Sequence, residues 1–246
     1  MESSEIDSSS SLSLLMENVS KSYGKITAVR DFSIQIRDGE RVALLGENGA
    51  GKSTTLKIIS GLMKPDTGKV RIFGYPPSSF EAKRMIGYLP EDPSPYLNLS
   101  VRENLEYIGA IRETEDLQSR IEDLLDMLSL KGMERQKPLS LSRGNKQKLC
   151  LALSIIHHPK FAIMDEPLNY LDIPTQETIF QYFESMKSTF LISTHILSIA
   201  KRLTERIVIL SSGKKAWEGT IQELEGMEGN GRSIESVVSE LMKNVS

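Results

Sequence analysis

The run Gly46-Glu47-Asn48-Gly49-Ala50-Gly51-Lys52-Ser53-Thr54 has residue types and spacing suited to gripping phosphate. Its glycines let backbone N–H groups turn inward around phosphate oxygens, and a following helix adds the positive end of its dipole. Lys52 is placed for the β- and γ-phosphates, and the Ser53 hydroxyl for Mg²⁺. The apolar run Arg41-Val42-Ala43-Leu44-Leu45 precedes the loop, and a helical pattern from Lys52 to Ser60 follows it. That strand–loop–helix context separates a phosphate loop from an ordinary glycine-rich turn. By itself the loop implies a nucleoside triphosphate and nothing narrower.

Far downstream, Phe161-Ala162-Ile163-Met164 is an apolar strand pattern that ends in two carboxylates, Asp165 and Glu166. A strand of this kind delivers Asp165 at its carboxyl end, beside the phosphate loop, where it can hold Mg²⁺ through water. Glu166 then faces the γ-phosphate as the general base for an attacking water. An acidic strand end alone is common. Paired at long range with the phosphate loop, it reads as half of a hydrolytic site.

A third element lies between them: Leu139-Ser140-Leu141-Ser142-Arg143-Gly144-Asn145-Lys146-Gln147 opens a long helix. With it the chain resembles the ATP-binding cassette (ABC) ATPases, whose signature Leu-Ser-Gly-Gly-Gln falls between phosphate loop and acidic strand. The resemblance runs from about Leu15 to Glu223. It implies two subunits, identical or different, joined head to tail, with Ser142 and the Gly144 N–H of one closing on ATP held by the other; a helix start is a natural anion site. It also implies roles for His195 as the switch histidine at the γ-phosphate, Tyr23 as the aromatic stacked on adenine, and Asp172 in the loop that joins the two sites across the dimer. Permease subunits on separate chains are the implied partners. The implied place is the cytoplasmic face of a membrane.

Some positions depart from the family pattern. Arg143 stands where glycine is usual, Asn145 where glutamine is usual, and Tyr170 where the Asp172 loop has glycine. Glu91, in Gly87-Tyr88-Leu89-Pro90-Glu91-Asp92, replaces a glutamine and would meet Mg²⁺ and water as an anion. Together with Leu99-Ser100-Val101-Arg102-Glu103-Asn104-Leu105, it resembles the exporter branch that extrudes drugs, sodium or lipids.

The elements that must position these residues follow from periodicity. Leu12 to Val19 and Ile26 to Ile36 read as two strands around a turn near Tyr23-Gly24, and Val70 to Phe73 as another strand. From about Ser100 to His158, apolar residues recur at helical spacing in Val101 to Ile111, Leu117 to Leu130 and Leu149 to Ile156. Strand and helix then alternate again: Thr189 to Ile192, Ile207 to Leu210, with a helix from about Thr175 to Met186 and a last strand near Ala216-Trp217. The expected fold is therefore α/β: a P-loop NTPase (RecA-like) parallel core, an N-terminal antiparallel β subdomain, and an inserted helical subdomain carrying the signature. The expected division is a Ser-rich leader over 1–11, the ATPase domain over 12–223 with the helical insert at about 91–158, and a helical tail over 224–246 broken at Gly229-Asn230-Gly231.

Composition narrows the function classes. The chain has 246 residues, 39% hydrophobic and 26% charged, with formal net charge -3. No basic excess points to nucleic acid. No apolar stretch nears the roughly 20 residues a bilayer span needs, and the acidic, serine-rich start lacks the basic region of a signal peptide. Cys150, the single cysteine, lies in a helical pattern and reads as core. His157 and His158, adjacent at a helix end, suit the negative end of that helix better than a metal. The alternative, an ABC-type ATPase acting on nucleic acid or an assembly pathway, usually comes with two cassettes or large insertions. An ATP sensor without turnover fits poorly with both Glu166 and His195 present.

Overall fold

The structure, a computed structural model, describes residues 12–228 and 233–243. β1 (Leu12–Tyr23) and β2 (Ile26–Arg37) alternate buried and open positions, and they pair antiparallel around a turn that begins at the Tyr23↔Ile26 pair. β3 (Arg41–Leu45) is buried along almost its whole length, as a strand covered on both faces must be. It runs through the phosphate loop into α1 (Lys52–Ile59). β4 (Thr67–Ile72) returns to the first sheet, whose order is β2-β1-β4.

Next come α2 (Phe80–Met85) and β5 (Ile86–Leu89). These escape the periodicity reading, since elements of six and four residues carry too few repeats to show a period. Three helices follow without a strand between them: α3 (Val101–Ile111), α4 (Leu117–Met127) and α5 (Arg143–Ile155). Ser100 and Glu103 close a capping box at the start of α3, and the bonds from Ser100 hold the Glu103 carboxyl below its usual range. Val101, Leu105, Ile121, Leu124, Leu149 and Ile155 form the centre of this lobe, continuous with Met164 and Ile192 of the main sheet.

β6 (Phe161–Asp165), α6 (Ile173–Ser185), β7 (Thr189–Thr194), α7 (Leu197–Leu203), β8 (Arg206–Ser211) and β9 (Lys214–Thr220) complete the second sheet. Its order is β5-β6-β7-β3-β8-β9, parallel except for β9. Two helices end the described chain, α8 (Ile221–Glu225) and α9 (Ile234–Lys243). α9 buries Ile234, Val237 and Val238 with Ile207 and Ile209, and the Ser211 hydroxyl donates to the Met242 carbonyl at 2.6 Å. The expected leader and the expected break at Gly229-Asn230-Gly231 lie outside the described residues.

Cys150 is buried, and burial pushes its thiol up to about 12, as fits a core position. The histidine pair behaves differently from its expectation. His157 keeps Nε2 at 3.0 Å from the Ile86 carbonyl oxygen, and burial pushes its pKa down to about 4, so it carries no charge for the helix end. The cation there is Arg120, which donates to the carbonyls of Ile155 at 3.0 Å and Ile156 at 3.3 Å and to the Tyr182 hydroxyl at 2.6 Å.

Candidate active site

Three adjacent strands set the chemistry. β7 lies between β6 and β3, with Asp165 opposite Ser193 and Leu45 opposite Thr194. The residue that follows each strand's end is therefore Glu166, His195 or Gly46, and all three leave the sheet at its carboxyl end. Ligands bind at this end in open α/β sheets.

There the phosphate loop encloses a cavity of about 380 Å³, lined by Ala28, Glu47, Asn48, Gly49, Gly51, Lys52, Ser53, Thr54, Glu91, Asp165 and Glu166. Gly51 has φ 101, and a Cβ there would stand 2.2 Å from the Ala28 carbonyl oxygen. Only glycine gives the loop this path. Lys52 is buried and donates from Nζ to the carbonyls of Gly46 at 2.7 Å and Glu47 at 3.2 Å. Its charge thus sits inside the loop, on acceptors that a phosphate oxygen could replace.

On the facing wall Asp165 and Glu166 are both buried. The Ser193 hydroxyl donates to Asp165 Oδ1. Glu166 has φ 48, in the left-handed region that strains a non-glycine residue. Its Oε1 lies 2.7 Å from His195 Nδ1, and its Oε2 accepts from the Thr194 hydroxyl at 3.2 Å. His195 itself is exposed. Behind the wall the Tyr88 phenol is pushed up, first by burial and then by the charge of Asp165. Ser53, Asp165 and Glu91 offer hard oxygen donors at one cavity, the donor chemistry that suits Mg²⁺.

The structure thus brings together the loop residues, Glu91, Asp165 and Glu166, with His195 bonded to the last. Other expected residues stand apart from this cavity. Tyr23 is exposed at the end of β1, its hydroxyl donating to Met63 Sδ at 3.0 Å. Ser142 caps α5, accepting from the Asn145 N–H at 3.2 Å. Asp172 caps α6, accepting from the Thr175 N–H at 2.9 Å, and those bonds hold its carboxyl below the usual range. Sequence reasoning missed Ala28, Ser193 and Thr194. The polar pair closing the apolar run Leu191-Ile192 was the available signal for the last two; nothing in the sequence marks Ala28.

A mostly parallel sheet with this loop and these carboxylates at its carboxyl edge defines a P-loop nucleotide hydrolase. A family model described as ABC transporter matches residues 29–169. The uncharacterized ABC transporter ATP-binding protein YxlF of Bacillus subtilis is 34% identical over 215 residues, covering 86% of this chain and 72% of that protein. The organic anion transporter ABCA8A of mouse is 37% identical over 229 residues, covering 89% of this chain; the match spans 14% of that protein's length. Among solved structures, an ATP-binding subunit of an ABC transporter superposes with a TM-score of 0.85 at 31% identity, covering 93% of this chain and 98% of the other. An ATP-binding cassette solved as a dimer, in a post-hydrolysis state with ADP and Pi, superposes with a TM-score of 0.78 at 28% identity, covering 85% and 98%. The chain belongs to the ATP-binding, ATP-hydrolysing subunits of the ABC transporter family.

Proposed function

We propose that this chain works as one half of an ATP-clamped pair, homomeric or heteromeric, that drives separate permease subunits at the cytoplasmic face of a membrane. The observation that carries this reading is a division within one chain. The phosphate-loop cavity gathers Lys52, Ser53, Glu91, Asp165 and Glu166, while Ser142 and Gly144 stand outside it. A second copy can bring its own Ser142 and Gly144 to that open side. No helix among the described residues is long and apolar enough to cross a membrane, and the proposed membrane path is supplied by permease subunits. Glu91 and the Leu99–Leu105 segment support export as the direction.

Each residue has a task in the hydrolysis. Lys52 exchanges its bonds to the Gly46 and Glu47 carbonyls for phosphate oxygens. Ser53 and Asp165 would hold Mg²⁺, with Glu91 beside them; bound there, the ion supplies charge that stabilises the phosphates. Glu166 accepts a proton from the water that attacks the γ-phosphorus, and the bond from that phosphorus to the β-phosphate oxygen breaks, leaving ADP and phosphate. Thr194 and His195 fix the carboxylate, and His195 is the residue proposed to meet the γ-phosphate. Tyr23 is the residue proposed for the adenine.

Affinity purification of the tagged chain from its native membranes tests the reading. A co-purifying polytopic membrane protein that stimulates ATP hydrolysis is expected. Recovery with nucleic acid or ribosomes instead would favour the soluble alternative.

A further inference from the structure

Two departures from the family pattern lie against each other. The Arg143 guanidinium carbon is 4.8 Å from the centroid of the Tyr170 ring, a distance at which a cation is drawn to an aromatic face. Tyr170 has φ 65, a backbone region that disfavours an aromatic residue, so its surroundings must hold it there. Its carbonyl oxygen rests on the start of α5: a Cβ added at Gly144 would stand 2.7 Å from it. One turn on, Gln147 Nε2 donates to the Pro167 carbonyl at 3.2 Å. Three contacts thus tie the first two turns of α5 to the loop over 166–172. That loop begins at Glu166, whose carbonyl accepts from the Asn169 N–H at 3.2 Å, and ends at Asp172, the cap of α6. A second cavity, about 430 Å³, lies beside the stack and shares Glu91 with the phosphate-loop cavity. It leaves room for the tied segments to shift together.

We propose that Arg143 and Tyr170 are positioning residues that make the start of α5 and the Glu166–Asp172 loop move as one piece. Closure of Ser142 and Gly144 on the partner subunit's ATP then sets Glu166 in its own chain's site, so the two sites fire together. This rests on the composite-site reading given above. The pair also explains why both glycines could be lost: the guanidinium holds a ring that the left-handed backbone alone would not retain.

The test uses the whole chain, with kcat, KM for ATP and the sigmoidality of the ATP dependence as readouts. Arg143→Ala and Tyr170→Gly should each lower kcat about 10-fold, leave KM unchanged and flatten the sigmoid. The double variant should fall no further, because both changes remove one contact. Tyr170→Phe keeps the ring and should recover wild-type kcat. Tyr170→Gly also relieves the backbone, so its melting temperature should not drop, which separates lost coupling from lost folding. Multiplying losses, or an Arg143→Ala protein with wild-type kcat and sigmoidality, would overturn the clamp. In a Glu166→Gln background Arg143→Ala should still dimerise with Mg-ATP. A dimer lost only on adding Arg143→Ala would assign the guanidinium to the partner's phosphates and overturn the clamp. If Glu166→Gln alone fails to dimerise, the composite-site reading falls and coupled firing with it; the kcat cycle then still decides whether Arg143 and Tyr170 act as one unit.

Discussion

His195 Nδ1 lies 2.7 Å from Glu166 Oε1, joining an exposed ring to a buried carboxylate across two neighbouring strand ends. Register brings them near: Asp165 is opposite Ser193, so Glu166 leaves its strand beside Thr194, and His195 follows one residue later. The Thr194 hydroxyl occupies the other oxygen of the same carboxylate. Glu166 is therefore fixed in direction before any substrate arrives, as a general base requires.

Glu166→Gln should keep ATP binding but slow hydrolysis by on the order of 10²–10⁴, about 3–5 kcal/mol of barrier. Lys52→Ala should weaken the ATP complex itself, because it removes the cation that phosphate draws away from the Gly46 carbonyl. Nucleotide titration and steady-state phosphate release separate the two effects. Wild-type turnover in Glu166→Gln would show that another group takes the proton.

Glu91 brings a negative charge to a cavity wall that already has Asp165 and Glu166. Glu91→Gln can still orient a water, so it should retain hydrolysis while needing more Mg²⁺ for half-maximal rate. An unchanged Mg²⁺ titration would remove Glu91 from the metal's surroundings.

The large pattern was legible because it rests on residue types that few alternatives share. A phosphate loop, a buried strand ending in Asp165-Glu166 and a signature between them leave one fold, and the strands β3, β6 and β7 follow from their apolar runs. What stayed hidden depends on contacts across the sheet. Thr194 and Ser193 became site residues only through register. Ala28 matters through its carbonyl, which sequence does not mark. Arg120, which the sequence does not mark, takes the helix-end place expected of His157, because burial decides which side chain keeps a charge and Arg120 reaches the end of α5 from another helix. Tyr170 shows the same limit: the sequence marks it as standing where glycine is usual, but its contact with Arg143 is evident only in the fold.

His157 gives a stability prediction with a definite sign. Burial pushes its pKa from 6.5 to about 4, so between those values the unfolded chain binds the proton and the folded chain does not. Stability should be full above about pH 6.5 and be lost as pH falls toward 4, by at most about 2–3 kcal/mol. Urea unfolding at pH 7 and pH 5 measures the slope. His157→Gln should flatten it; an unaltered slope would assign the proton uptake elsewhere.

The composite site predicts how subunits associate. If Ser142 and Gly144 of one subunit read the γ-phosphate of ATP held by another, ATP is the glue of the pair. Each chain offers one phosphate loop and one signature, so a homodimer has two equivalent sites about a two-fold axis. ADP lacks the phosphate that the signature reads and should not hold the halves together. Hydrolysis then opens the pair, and that opening is the movement a permease would feel. The Glu166→Gln protein should accordingly be monomeric alone or with ADP, and dimeric with Mg-ATP or with ATP and sodium. Ser142→Arg should abolish that dimer by placing a bulky side chain at the α5 cap, while ATP binding to the monomer persists, because Ser142 lies outside the phosphate-loop cavity. Sedimentation velocity or light scattering reads the outcome directly. Equal dimerisation with ADP, or a dimer indifferent to Ser142→Arg, would refute the composite site in this chain.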